Sequence, residues 1–229
     1  TRATFTAINH EINSFALLSL ARELVAPHLE EDTATLTVAL AGLDDAAAAR
    51  VADALAAAAA AAVGEMPSFK RQAARPKRLR LLEFYGLEET VDLSRTLAAA
   101  EGNNLARRLT TLPPNKLTPG DYRAAVHDLA QEMGWEMTFL DLKALERKRA
   151  GAFIAVAQGS EERDAGIVRL RYRASRGGRR RALALVGKGI CYDTGGTNLK
   201  PAKHMFGMHE DMEGSAVALG TLLALTRLG

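Results

Sequence analysis

No helix or central strand can run through residues 111–119, TLPPNKLTP. Pro113 and Pro114 lack the N–H that either kind of ladder needs, and each biases the residue before it toward extended backbone. This is the clearest break in the chain. A fresh helix then begins with explicit signals: Thr118 as N-cap, Pro119 at the first position and Asp121 three residues after the cap. That helix is expected to run to Met133 and to stop at Gly134.

On both sides of the break, helical and strand patterns alternate. Phe15 to Leu29 places Leu17, Leu20 and Leu24 at helical spacing, and Thr35 to Leu40 reads as a short strand closed by Gly42. Asp44 and Asp45 offer an N-cap to an alanine-rich helix through Val63, which Gly64 ends. Arg78 to Tyr85 reads as a strand and Thr90 to Leu109 as a long helix. Beyond Gly134 the pattern predicts strands at Glu136–Leu140, Ala152–Ala157, Ile167–Arg173 and Ala182–Val186, with a helix capped by Asp141 between the first two. The predicted class is α/β. A small N-terminal α/β domain, residues 1–95, precedes the front part of a second α/β domain, residues 96–229. The latter is expected to be a mixed, mainly parallel sheet covered by helices and incomplete in this chain, with the boundary near residues 90–110. No internal repeat is visible.

Composition bounds the function classes. With 48% hydrophobic and 25% charged residues the chain is ordinary for a globular protein, which argues against disorder, collagen-like repeats and coiled coil. The longest apolar run, Ala54 to Val63, is ten residues, short of the ~20 of a membrane span. No basic, then apolar, leader is seen at the start. A lone cysteine, Cys191, cannot form an internal disulfide and fits a reducing cytoplasm. The net charge of +3 is too small to imply nucleic acid. Two basic clusters (Lys70, Arg71, Arg75, Lys77, Arg78 and Arg80; then Arg176, Arg179, Arg180 and Arg181) read as solvated loops, and no aromatic residues interleave with the second to stack on bases.

The chemistry lies between Val186 and Gly214, VGKGICYDTGGTNLKPAKHMFGMHEDMEG. A buried-type strand is expected to end at Val186, and sites in open α/β sheets gather just past such strand ends. This loop carries Lys188, Asp193, Lys200 and Asp211 among glycines 187, 189, 195, 196 and 207, and a helix is expected after Asp211. A phosphate-cradling P-loop is disfavoured because Gly189 follows Lys188, and the dinucleotide-binding glycine spacing is missing. Two readings remain on spacing alone: a glycine-rich loop with solvated charges, or a hard-metal site whose aspartates supply oxygen ligands.

The segment closely resembles the leucyl (cytosol) aminopeptidase family of metallopeptidases. That family's signature is VGKGxxxDSGGxxxKP followed by MxxDM, here VGKGICYDTGGTNLKP and then MHEDM. The spacings match without a gap: five residues from Lys188 to Asp193, seven on to Lys200 and eleven on to Asp211. PPNKLTP also resembles the start of the family's catalytic domain. The chain departs from the family pattern at Thr194, where serine is usual, and at Glu213, where glycine is common.

The resemblance implies a peptidase that removes N-terminal, apolar, leucine-like residues with two divalent ions, zinc or manganese. Asp193 would bridge both ions, Asp211 would complete one shell, and Lys188 would bind through a neutral amine. Lys200 would stay protonated and polarise the scissile carbonyl, and Met208 matches a position lining the first side-chain pocket. A homohexamer in the cytoplasm is implied, with peptides as substrates. The family's remaining ligands, and an arginine that binds bicarbonate, come from an NTDAEGR-like motif not found in these 229 residues. The chain alone is therefore expected to be inactive and to need a complementary C-terminal segment carrying an Asp-x-Glu-x-Arg-like motif. His204 and His209 are read as structural or supporting residues, since the family uses no histidine ligands, and Cys191 as a packed small residue. The rival reading is a non-catalytic nucleic-acid- or protein-binding subunit that uses the basic clusters, and a third is an aminopeptidase-like protein that has lost activity.

Overall fold

The computed structural model describes residues 2–9, 11–71, 77–174 and 182–229. The backbone packs as two compact units, Thr1–Asn104 and Leu105–Arg227.

In the first unit the elements are α1 (Ser14–Glu30), β1 (Thr35–Ala39), α2 (Asp45–Val63), β2 (Leu81–Tyr85) and the start of α3 (Ser94–Thr111). Asn13 opens α1 by accepting the Ala16 N–H, and Asp44 opens α2 by accepting the Ala47 N–H at 2.8 Å. β1 and β2 pair in parallel, Thr35 opposite Leu81 through Ala39 opposite Tyr85. The core joins Leu17, Ala21 and Val25 of α1 with Val51, Leu55 and Ala59 of α2, each set on one helical stripe. At 19 residues α2 is long and apolar enough to cross a membrane by length and composition, a property hidden when only the longest unbroken apolar run is counted. Its Val51–Leu55–Ala59 stripe is instead buried against α1, as in the core helix of a folded domain. α3 begins at Ser94 rather than Thr90, because the Asp92 carboxylate accepts the Ser94 N–H and caps the first turn there.

The second unit continues α3 and adds α4 (Pro119–Met133), β3 (Glu136–Asp141), α5 (Leu142–Arg147), α6 (Gly151–Ala157), β4 (Gly166–Arg171), α7 (Ala202–Met205), a 3-10 turn at Met208–Glu210 and α8 (Glu213–Leu228). The capping box of α4 forms as its sequence predicts. Thr118 Oγ1 accepts the Asp121 N–H, the Asp121 carboxylate accepts the Thr118 N–H, and Gly134 closes the helix in the left-handed region. The core here joins Leu109, Leu117, Val126, Ala130 and Trp135 to Met212, Ala216, Leu219 and Leu223, the buried stripe of α8 and the residue before it. Trp135 Nε1–H donates to Thr226 Oγ1 at 2.8 Å and pins the far end of α8.

Three expectations need correction. Residues 152–157 form helix α6, not a strand; a six-residue apolar run has no period that separates the two. Ala182–Val186 forms no strand, and Leu183 and Val186 are exposed, Val186 almost completely. A strand exists only where a neighbour accepts its N–H groups, and among the described residues nothing pairs with this run. Finally, β3 and β4 pair antiparallel, Glu136 opposite Arg171 through Asp141 opposite Gly166, so the described strands of this unit make a two-stranded antiparallel sheet rather than a mainly parallel one.

Candidate active site

Residues 187–189 lie against the first turn of α8. The Ser215 N–H donates to the Lys188 carbonyl at 2.8 Å, and a Cβ on Gly187 would stand only 2.4 Å from Ser215 Cα. Glycine is what lets the two backbones come so close. The approach delivers Lys188 to Asp211, just ahead of α8. Lys188 Nζ donates to Asp211 Oδ1 at 2.7 Å. The second oxygen, Oδ2, is also 2.7 Å from the ammonium but outside hydrogen-bond geometry, and this buried atom accepts no hydrogen bond.

A second pair forms one loop away. The Asp193 carboxylate accepts the Gly195 N–H at 2.9 Å through Oδ1, and the chain turns back so that Lys200 N–H reaches the Thr194 carbonyl at 2.9 Å. Gly195 makes the turn possible, with φ at +86° and the Asn198 carbonyl where a Cβ would stand. Thr194 keeps the hydroxyl of the usual serine and uses it, accepting the Gly196 N–H at 3.2 Å. Lys200 Nζ then donates to Asp193 Oδ2 at 2.7 Å and lies 2.9 Å from the Met208 thioether. The Lys200 hydrogen bond first, and the Gly195 N–H second, hold the Asp193 carboxyl below the usual carboxylate range.

The two pairs share a backbone anchor. The Met208 carbonyl accepts the N–H groups of both Asp193 and Asp211, each at 3.4 Å. Two carboxylates and two amines are thus gathered around the turn that carries Met208. Divalent ions suit this donor set: carboxylate oxygens are hard ligands, each already faces a cation, and the buried Asp211 Oδ2 has a lone pair to offer. Among the described residues no three His, Cys, Asp or Glu side chains converge to hold an ion.

Other candidates fall away. His204 is exposed, and His209 pairs only loosely with Glu210, at 3.9 Å. Arg78 faces Asp32 at 3.3 Å, Arg80 donates to the carbonyls of Lys77 and Leu79, and Arg75, Arg176, Arg179, Arg180 and Arg181 lie outside the described residues. A cavity of about 350 Å³ in the first unit, lined by Ala52, Phe84, Leu87 and Glu88 among others, holds none of the site residues. Cys191 is buried, and burial first, then the Asp164 and Asp121 carboxylates, pushes its thiol up to about 11. At pH 8 the folded protein is therefore expected to react with iodoacetamide roughly a hundredfold more slowly than the urea-unfolded chain, since only thiolate attacks. Equal rates in the two states would show that Cys191 is neither buried nor perturbed. Sequence reading passed over Tyr122 and Ser215, which hydrogen-bond across 93 residues; no local pattern marks a pair so far apart.

Residues 104–229 match the model of the cytosol aminopeptidase family, catalytic domain. The chain is 40% identical over 142 residues to a protein of Rhodococcus erythropolis named "Probable cytosol aminopeptidase", covering 62% of this chain and 28% of that one. It is 41% identical over 164 residues to one of the same name from Desulfovibrio desulfuricans, covering 69% and 32%. Among solved structures it is similar to leucyl aminopeptidase from Trypanosoma cruzi (TM-score 0.75, 26% identity, 97% of this chain and 43% of that one). It is similar also to the bottromycin maturation enzyme BotP in complex with Mn (TM-score 0.74, 27% identity, 96% and 46%). The chain spans less than half the length of each of these relatives.

Proposed function

The chain belongs to the cytosol aminopeptidase family, and from that membership we propose that residues 1–229 carry one half of a binuclear, metal-dependent aminopeptidase site acting on peptides with leucine-like N-terminal residues. The observation that carries this reading is the pairing of Lys188 with Asp211 and of Lys200 with Asp193 around the Met208 carbonyl, inside the matched segment. Asp193 would hold both ions, because its two oxygens can serve one each. Asp211 and the deprotonated amine of Lys188 would complete one shell. When bound, zinc or manganese ions supply Lewis acidity and make water nucleophilic at neutral pH.

Lys200 would take the electrophilic role. Asp193 and Met208 hold its ammonium, which would donate to the carbonyl oxygen of the scissile bond and stabilise the negative charge that develops there. Met208 lies beside that ammonium and would face the substrate's first side chain. The remaining ligands, with an arginine and its bicarbonate, would come from an Asp-x-Glu-x-Arg-like motif, which residues 1–229 do not contain. The assembly would be a homohexamer in the cytosol, a reading supported for location by the name of its relatives, cytosol aminopeptidase.

The test uses the purified protein together with a segment carrying that motif. It is expected to release leucine from leucine p-nitroanilide, to stop on chelation and to recover with Mn²⁺, and to leave N-acetylated leucine p-nitroanilide uncut. Equal cleavage of the acetylated substrate, or activity indifferent to chelation, would sink the reading.

A further inference from the structure

The Lys188–Asp211 pair does not hold itself. Hydrogen bonds with Lys188, Met212 and Tyr122 meet at Ser215, two residues into the first turn of α8. Its N–H donates to the Lys188 carbonyl at 2.8 Å, its hydroxyl donates to the Met212 carbonyl at 2.7 Å, and its Oγ lies 3.0 Å from the Tyr122 hydroxyl on α4. Because the serine proton is committed to Met212, the Tyr122 O–H must be the donor in the last of these. The tyrosine is largely buried and its hydroxyl is held in protonated form, burial being the main cause. Around this knot the backbones touch: Gly187 has Ser215 Cα and the Gly214 carbonyl where a Cβ would stand, and Gly214 has the Lys188 N–H at 3.1 Å from that position. Met212, next to Asp211, is fully buried in the core. The Lys188 carbonyl, held by the Ser215 N–H, and the Met212 carbonyl, held by the Ser215 hydroxyl, are thereby referred to one residue, and through its hydroxyl to α4.

We infer that Ser215, held by Tyr122, is the positioning residue that sets Lys188 against Asp211, so that amine and carboxylate can serve one divalent ion together. This deepens the proposed function and rests on it. Removing the hydroxyl leaves both ligands in place, leaves the Met212 carbonyl only the backbone N–H groups of Ser215 and Ala216, and frees the Tyr122 hydroxyl to find another partner. A purely structural role predicts something different, namely lost stability with unchanged metal affinity. Trp135 and Thr226, at the other end of the same helix, provide the comparison.

The experiment is titration calorimetry of Mn²⁺ into the metal-stripped enzyme, complementary segment included, alongside thermal melts without metal. Ser215→Ala and Tyr122→Phe are expected to weaken Mn²⁺ binding about 10- to 100-fold, the range for groups that orient metal ligands. Trp135→Phe is expected to lower the melting temperature and leave affinity unchanged. Tyr122→Phe keeps Ser215 and the size of the ring, so it decides the matter if Ser215→Ala fails to fold. Should both hydroxyl variants bind Mn²⁺ like the wild type, the positioning role is wrong while the aminopeptidase reading stands. Should the wild-type enzyme bind no Mn²⁺ or Zn²⁺, the metal site and this inference fall together.

Discussion

Asp193→Ala is expected to strip the enzyme of both ions, with elemental analysis of purified, buffer-exchanged protein finding only trace metal. Of the two site carboxylates, Asp193 is the one whose two oxygens accept from different partners, the Gly195 N–H on Oδ1 and the Lys200 ammonium on Oδ2. An ion bound to each oxygen would lose a ligand at the same moment, and the loss should exceed the roughly 100-fold cost of removing a mere supporting group. The fold should survive. The Asp193 side chain is a third exposed and takes no part in the apolar core of the second unit. Asp193→Asn separates the two local roles, since it keeps an acceptor for Gly195 but removes the charge. If charge is what holds the ions, Asn fails as Ala does. Two tightly held ions in either variant would end the bridging assignment.

Lys200→Ala is expected to lower kcat about 100-fold or more, the usual cost of one lost oxyanion donor, with metal content unchanged. Lys200→Arg should not restore it, because a planar guanidinium cannot take the place of a compact ammonium between Asp193 and Met208. A variant loaded with metal and turning over leucine p-nitroanilide at the wild-type rate would remove Lys200 from the mechanism. The substitution also carries a pH signature. The Asp193 carboxyl is held below its ordinary range chiefly by Lys200, so in the wild type its charged form, and any stability it lends, is present above the unfolded pKa and is lost only as pH falls through the lowered one. Without Lys200 the carboxyl moves back up. Metal retention measured against pH should accordingly fail at a higher pH in Lys200→Ala than in the wild type. Coincident curves would mean that Lys200 does not govern Asp193.

Much of the local structure is written in adjacent residues. Asp44 before the alanine run, the Thr118–Pro119–Asp121 box and Gly134 after Met133 each act within a turn of the backbone they satisfy, so they could be read directly and the structure shows each in place. The four charged residues of the candidate site could be singled out for a similar reason, although spacing alone left a solvated loop and a metal site both open. They sit at fixed intervals in one segment, among glycines whose backbone freedom the loop requires. Tertiary structure decided the rest, because the deciding partner lies far along the chain. Residues 152–157 and 182–186 are short apolar runs whose form depends on what they pack or pair with, and the direction of β3 against β4 depends on how the chain returns. Spacing named two lysines and two aspartates but not which amine would meet which carboxylate. The folded chain pairs them with the Met208 carbonyl accepting the N–H groups of both aspartates and the Ser215 N–H holding the Lys188 carbonyl against α8. Hydrogen bonds between residues brought together only by the folded core leave no periodic trace in sequence.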